Sequence, residues 1–190
     1  MNSMKSEKDY SNLDAVGEIS FDISKTSIIF LDIDGVLNCQ RGWEHYIGSG
    51  DHTTWDYSKI PEYKYGGFNR IPFCPKTVSL LNELIHLTHA KVVVISTWRH
   101  GNSLEELQGC LKERGVNCTV VGKTQSSGRL KRGEEIELWI GEFGEPKKFV
   151  IIDDDFSYDI EEFYPKNGVQ PSEPEGFNEE CFQRAVDVLA

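Results

Sequence analysis

Ile28-Ile29-Phe30-Leu31 runs straight into Asp32-Ile33-Asp34-Gly35. An unbroken apolar run that opens on β-branched residues suits a strand buried on both faces better than one stripe of a helix. In an extended chain Asp32 and Asp34 point the same way, and Gly35 lets the backbone turn sharply where they converge. Carboxylates that close repel unless a cation or a shared proton relieves them. A buried strand ending in a solvated Asp-Gly turn has the same local pattern, so the decision falls to the rest of the chain.

The rest alternates helices with further apolar strands. Residues 1–24 are polar and of mixed charge, a lead-in in which Glu18 to Ile23 can add an edge strand, and 25–190 read as one domain. The first strand is Ser27 to Asp32. The segment at about 38–73 is rich in glycine and aromatics (Trp43, Tyr46, Trp55, Tyr57, Tyr63, Tyr65, Phe68) without a clear period. It reads as a long structured loop, uncommon unless functional. Pro75 suits a first helical turn, and Val78, Leu81, Leu84 and Ile85 carry an amphipathic helix to about His89. Lys91 to Thr97 is a second buried strand. Ser103 and Glu106 form a capping-box pattern for a helix ending near Gly115. Cys118 to Val121 reads as a short strand, Gly133 to Glu142 as a helix, and Lys148 to Asp153 as a buried strand. Val169 to Glu175 is irregular, and Asn178 to Ala190 closes the chain as a helix. This alternation makes an α/β fold whose central parallel sheet is covered on both faces, with ligands at the carboxyl ends of its strands.

An apolar fraction of 38% and 11% aromatics over 190 residues allow a proper core. The net charge of −11 and pI near 4.9 weigh against extended nucleic-acid binding, though a local basic groove stays open. The five cysteines are scattered and never spaced C-x-x-C, which fits reduced thiols rather than a disulfide or zinc framework. No apolar run approaches a membrane span and the start is polar. A cytoplasmic location is the expectation.

The polar residues that end each strand carry the chemistry. The first strand ends in Asp32 and Asp34, the second in Ser96-Thr97-Trp98-Arg99, and the Lys148 strand in Asp153-Asp154-Asp155. Brought to one sheet edge, these carboxylates are the hard oxygen ligands that Mg²⁺ takes beside a phosphate, and hydroxyls and a guanidinium suit phosphate oxygens.

In their order and spacing, Asp32-Ile33-Asp34-Gly35-Val36-Leu37, Ile95-Ser96-Thr97, a basic residue before a helix and Ile151-Ile152-Asp153-Asp154 resemble the four motifs of the haloacid dehalogenase-like (HAD) hydrolases. Ser96-Thr97-Trp98-Arg99, Arg132-Gly133-Glu134-Glu135-Ile136, Trp139 and the Asp-Asp-Asp run look more narrowly like the HAD domains related to Swiss army knife RNA-repair proteins. The resemblance implies a Rossmann-like three-layer fold with a minimal cap or none. It makes Asp32 the nucleophile of a phosphatase, forming an aspartyl-phosphate, and Asp34 the general acid and then base. It also places Mg²⁺ on Asp32, the Asp34 backbone carbonyl, Asp154 and Asp153, and has Ser96 donate to a phosphoryl oxygen. Ser96 alone would equally be a turn or cap serine. Lys131 and Arg132 compete for the basic third motif, the narrower resemblance pointing to Arg132, with Lys123 an outside candidate.

Substrate contacts are open to two readings each. Arg99 can clamp a phosphate or pair with an acidic neighbour. Thr97 lies beside Ser96. Arg41 and Trp43 can meet a nucleic-acid end, or pack the loop onto the domain. The loop is too short for a large cap with its own core, so a small lid or an open site is expected, able to take a small phosphorylated molecule or a nucleic-acid end. Two rival classes remain: a HAD-fold binding or regulatory module with weak or no turnover, and a phosphoacceptor receiver domain, against which the Asp-x-Asp-Gly-Val order and late Asp-Asp pair argue.

Overall fold

The computed structural model describes residues 21–48, 56–65, 70–125, 130–156 and 158–190. Its strands are β1 Ser27–Leu31, β2 Lys91–Val94, β3 Val120–Lys123, β4 Lys148–Ile152 and β5 Gly168–Val169. Its α-helices are α1 Gln40–Ile47, α2 Pro75–Thr88, α3 Leu104–Glu113, α4 Arg132–Phe143, α5 Tyr158–Phe163 and α6 Glu179–Leu189. The strands form one all-parallel sheet in the order β3-β2-β1-β4-β5. The chain builds outward from β1 to β3, then returns to lay β4 on the other side of β1. The strand order reverses at the β1–β4 seam, where the two connections leave to opposite sides, the position at which sheets of this kind form a crevice beyond the carboxyl ends.

Side-chain parity sorts the core. Ile29 and Leu31 of β1 pack with Val92, Val94, Val150 and Ile152 beneath α2, α3 and α6, contributed by Leu81, Leu84, Leu107, Leu111, Ala185 and Leu189. Ile28 and Phe30 point the other way, with Val93 and Ile151, against Ile136 and Trp139 of α4 and Ile160 of α5. This covers both faces of the sheet in an α/β, Rossmann-like arrangement. Burial of a side chain of that size contributes roughly 1.5–3 kcal/mol, so the second cluster sets where α4 sits.

Four boundaries differ from the pattern reading. Within the long loop, Gln40–Ile47 is a helix, with Gln40 Nε2 donating to Glu44 at 2.8 Å. Gly42, poor in helix propensity, hid it; the glycine is there because a Cβ would come within 2.9 Å of the Cys74 backbone nitrogen, so α1 crosses close to the start of α2. β3 starts two residues later than the apolar pattern suggests, and its register against β2 shifts between Val92 and Val93, after Val120 has paired with Val92. The short helix α5 and the two-residue β5 escape any periodicity, and β5 exists because the edge of β4 pairs with it. Glu18 to Ser20 of the suggested edge strand, together with Trp55 and Phe68, lie outside the described residues, while Ile23–Lys25 forms a single 3-10 turn. Among the described residues, the segment after β1 holds α1 and one short 3-10 turn at Tyr57–Lys59, and no cap domain. No helix among them is long and apolar enough to cross a membrane. All five cysteines are free thiols.

Candidate active site

The sheet ladder runs one residue past the strand ends. Asp32 N donates to Ile152 O at 2.9 Å, Ile95 N to Leu31 O at 3.0 Å, and Asp153 N to Val169 O at 3.2 Å. Asp32 and Asp153 are therefore still in register, and parity turns them to the side of Phe30 and Ile151, the α4 side. On α4, Arg132, Ile136 and Trp139 recur at helical spacing along one face. Trp139 meets Phe30 edge-on at 5.4 Å, so the two apolar residues seat the helix and Arg132, at its first turn, meets the carboxylates.

Arg132 Nη1 lies 3.2 Å from Asp32 Oδ1 and 2.5 Å from Asp153 Oδ2. It bridges the two strand ends that flank the crevice. The other oxygen of Asp153 accepts the Asp155 N–H at 3.0 Å. Asp154 joins them: one oxygen each of Asp32, Asp153 and Asp154 falls within 4.8 Å of the others. Gly35 makes room, since at φ +69° a Cβ there would sit 2.1 Å from Asp154 Oδ2.

The electrostatics are strained in a telling direction. Burial, then the charges of Asp153, Asp154 and Asp34, push Asp32 up to about 7, with Arg132 working against them. Burial raises Asp153 and Asp154 as well. Burial disfavours the Arg132 charge, yet Asp153 and Asp32 more than offset it, and its pKa is raised. Three hard oxygen donors face one guanidinium, and the excess negative charge is what a divalent cation relieves. The donor set fits Mg²⁺.

Ser96 is fully buried at the end of β2. Its Oγ accepts the Trp98 N–H at 3.4 Å, capping the 3-10 turn Thr97–Arg99, which leaves its O–H free to donate elsewhere. Thr97 is exposed. Lys131 is the exposed residue preceding α4, its N–H held by Glu134 at 3.1 Å, so of the two basic candidates it is Arg132 that reaches Asp32. Lys123 Nζ donates to the Asn102 and Arg99 carbonyls instead.

Arg99 takes an acidic neighbour in this structure. It is 5% exposed, pairs with the equally buried Glu135 at 2.6 Å, and donates to the carbonyls of Ile95, Ser96 and Thr124. Every arm of the guanidinium is used inside the protein. Arg41 pairs with Glu175 at 2.7 Å on the surface, and the Trp43 ring meets Tyr57 edge-on at 6.3 Å. Both contacts hold the segment after β1 in place rather than aim at the carboxylates.

Two residues escaped the sequence reading. Trp98 Nε1 donates to both oxygens of Asp34 at 3.1 Å, and Asn38 Nδ2 donates to Asp34 Oδ1 at 2.6 Å. A tryptophan four residues beyond the end of β2 carries no local signal for this, because its partner lies 64 residues away.

A crystal structure of the Legionella pneumophila effector Ceg4, carrying an N-terminal yeast Hog1p sequence, aligns over 90% of this chain and 97% of its own at 15% identity and a TM-score of 0.46. A comparison with curated proteins finds no match. The family described as the HAD domain in Swiss Army Knife RNA repair proteins matches residues 28–182, a span that holds the carboxylates, Ser96 and Arg132, and the chain belongs to that family.

Proposed function

We propose that the protein is a Mg²⁺-dependent phosphoester hydrolase working through an aspartyl-phosphate on Asp32. The observation that carries this reading is the convergence of Asp32, Asp153 and Asp154 at the β1–β4 crevice with Arg132 laid across Asp32 and Asp153. An Asp32 oxygen attacks phosphorus, and the bond to the leaving oxygen breaks as Asp34 gives that oxygen a proton. Asp34 then takes a proton from water, whose oxygen attacks the same phosphorus. The bond to Asp32 breaks, inorganic phosphate leaves and both aspartates return to their starting states. The Ser96 hydroxyl and the Arg132 guanidinium stabilise the phosphoryl oxygens as charge shifts among them. Asp32, the Asp34 carbonyl, Asp153 and Asp154 would hold Mg²⁺, which neutralises phosphate charge and favours the ionised nucleophile.

The substrate class that fits best is a phosphorylated nucleic-acid end or a nucleotide. The family's description points to RNA repair, and a segment after β1 with no cap domain among the described residues suits a bulky ester. A charge of −11 suits contact with an end rather than with a long duplex. Exposed Thr97 stands next to Ser96 as a substrate contact. The test is phosphate release from an aryl phosphate in Mg²⁺, abolished in Asp32→Asn, followed by comparison of a 3′-phosphorylated oligonucleotide with mononucleotides and sugar phosphates. No release from any phosphoester, together with no Mg²⁺ binding, would return the chain to the binding-module reading.

A further inference from the structure

We propose that Trp98 is a positioning residue that presets the proton-transfer carboxylate of Asp34. The inference rests on the phosphatase reading above. Asp34 is exposed, and an exposed aspartate ordinarily samples several rotamers. Here a single indole N–H is shared between its two oxygens at 3.1 Å, and Asn38 holds Oδ1 at 2.6 Å. Asn38 is itself fixed, because its Oδ1 accepts the Gly35 N–H at 3.0 Å within the same turn.

The indole cannot drift. Trp98 is 1% exposed and packs on Phe73 at 5.8 Å, while the Arg114 guanidinium lies 5.2 Å from its ring. Arg114 is anchored in turn by the carbonyls of Ile71 at 2.9 Å and Cys110 at 3.0 Å, and stacks on Tyr63 at 3.9 Å. A wall built from α3, the chain before α2 and the 56–65 segment therefore holds the donor that holds Asp34. The same 3-10 turn places Ser96 at its cap, so one turn sets both the phosphoryl-oxygen donor and the orientation of the acid. Fixing a catalytic group in its reactive position removes an entropic part of the barrier, and a misplacement of about 1 Å can cost ~100-fold.

The measurement is steady-state kinetics of the full chain and of Trp98→Phe, which keeps the ring packing and deletes the N–H. Both are assayed in Mg²⁺ on p-nitrophenyl phosphate and on a simple alkyl phosphate. Proton delivery matters most for the poor alkoxide leaving group, so kcat/KM, which reports the first displacement and not the shared hydrolysis of the aspartyl-phosphate, is expected to fall about 10- to 100-fold on the alkyl ester and only a few-fold on the aryl ester. A merely structural tryptophan would lower both rates alike, and equal losses, or none, overturn the proposal. A second readout avoids both turnover and the folding of that variant. In ¹⁵N-tryptophan-labelled protein, Asp34→Asn should shift the Trp98 indole N–H resonance, identified by its proximity to Phe73. An unmoved resonance in Asp34→Asn, with the wild-type chain active, overturns this proposal alone. A wild-type chain that hydrolyses neither ester overturns the phosphatase reading and Trp98's catalytic role with it.

Discussion

Two arginines stand at the same sheet edge, each against a buried acid at nearly the same distance, and they do opposite things. Arg99 meets Glu135 at 2.6 Å and Arg132 meets Asp153 at 2.5 Å. Among the described residues Arg99 forms one ion pair, with Glu135, and has three carbonyls to complete its shell, and both members of the pair are 5% exposed. It is a strut tying the ends of β2 and β3 to α4. Arg132 remains 25% exposed and faces Asp32 and Asp153 together, with Asp154 close by. Its charge is outnumbered. A satisfied buried pair serves structure, whereas an unsatisfied cluster at a crevice is poised for a ligand of opposite sign.

The sharpest way to break this contrast is to cut each arginine separately. Removing one side of the strut, as in Glu135→Leu, leaves a buried guanidinium unpaired and is expected to cost about 3–5 kcal/mol, read from the urea midpoint. The double replacement Arg99→Met with Glu135→Leu should regain most of that. Arg132→Ala should instead spare the fold in saturating Mg²⁺ and lower kcat about 10²- to 10³-fold on an aryl phosphate. If Arg132→Ala unfolds the chain while the strut variants keep full stability, the assignment is reversed.

The pH dependence distinguishes the two pairs more gently. An unfolded aspartate titrates near 3.9, and the folded Asp32 is pushed up to about 7, chiefly by burial and by Asp153. Between those values the folded chain binds more protons than the unfolded one. The contribution of Asp32 to stability is thus full below about pH 4, and is lost as pH rises through 7. In chelator the melting temperature should fall across this window, and the gain on adding Mg²⁺ should be larger at pH 8 than at pH 5. A Mg²⁺ gain that is equal at both values, measured by calorimetry, would remove the carboxylate cluster as the binding site.

The smallest expected effect concerns the space for Asp154. Gly35→Ala adds a Cβ where Asp154 Oδ2 now lies and places it at φ +69°. That backbone costs a side chain about 1–2 kcal/mol. The displaced carboxylate should weaken Mg²⁺ binding by about tenfold, measured by titration calorimetry.

How legible each part was depended on how local its signal is. The β1 run, the helix begun by Pro75, the Ser103–Glu106 capping box and the β4 run each carry their own pattern, and the structure places elements there. Asp32, Asp153 and Asp154 were readable because they terminate recognisable buried strands. The choice of Arg132 over Lys131 was legible only through the family likeness, since the two are adjacent at the start of the same helix; which one faces the sheet follows from the burial of Ile136 and Trp139. Arg99 was ambiguous for the same reason. Its partner Glu135 lies 36 residues on, and no spacing rule connects them.

Sequence alone determined the alternation of elements and the acidic residues that end the strands, because strand periodicity and turn chemistry act within a few neighbouring residues. It also determined the family likeness carried by those ends. Tertiary structure decided the strand order, which brings β1 and β4 side by side and turns separate aspartates into one cluster. It decided which cation is shared, which is spent, and that an indole from the second strand end holds Asp34. Those outcomes depend on contacts between residues distant in sequence, and such contacts exist only once the sheet has assembled and the helices have buried their apolar faces against it.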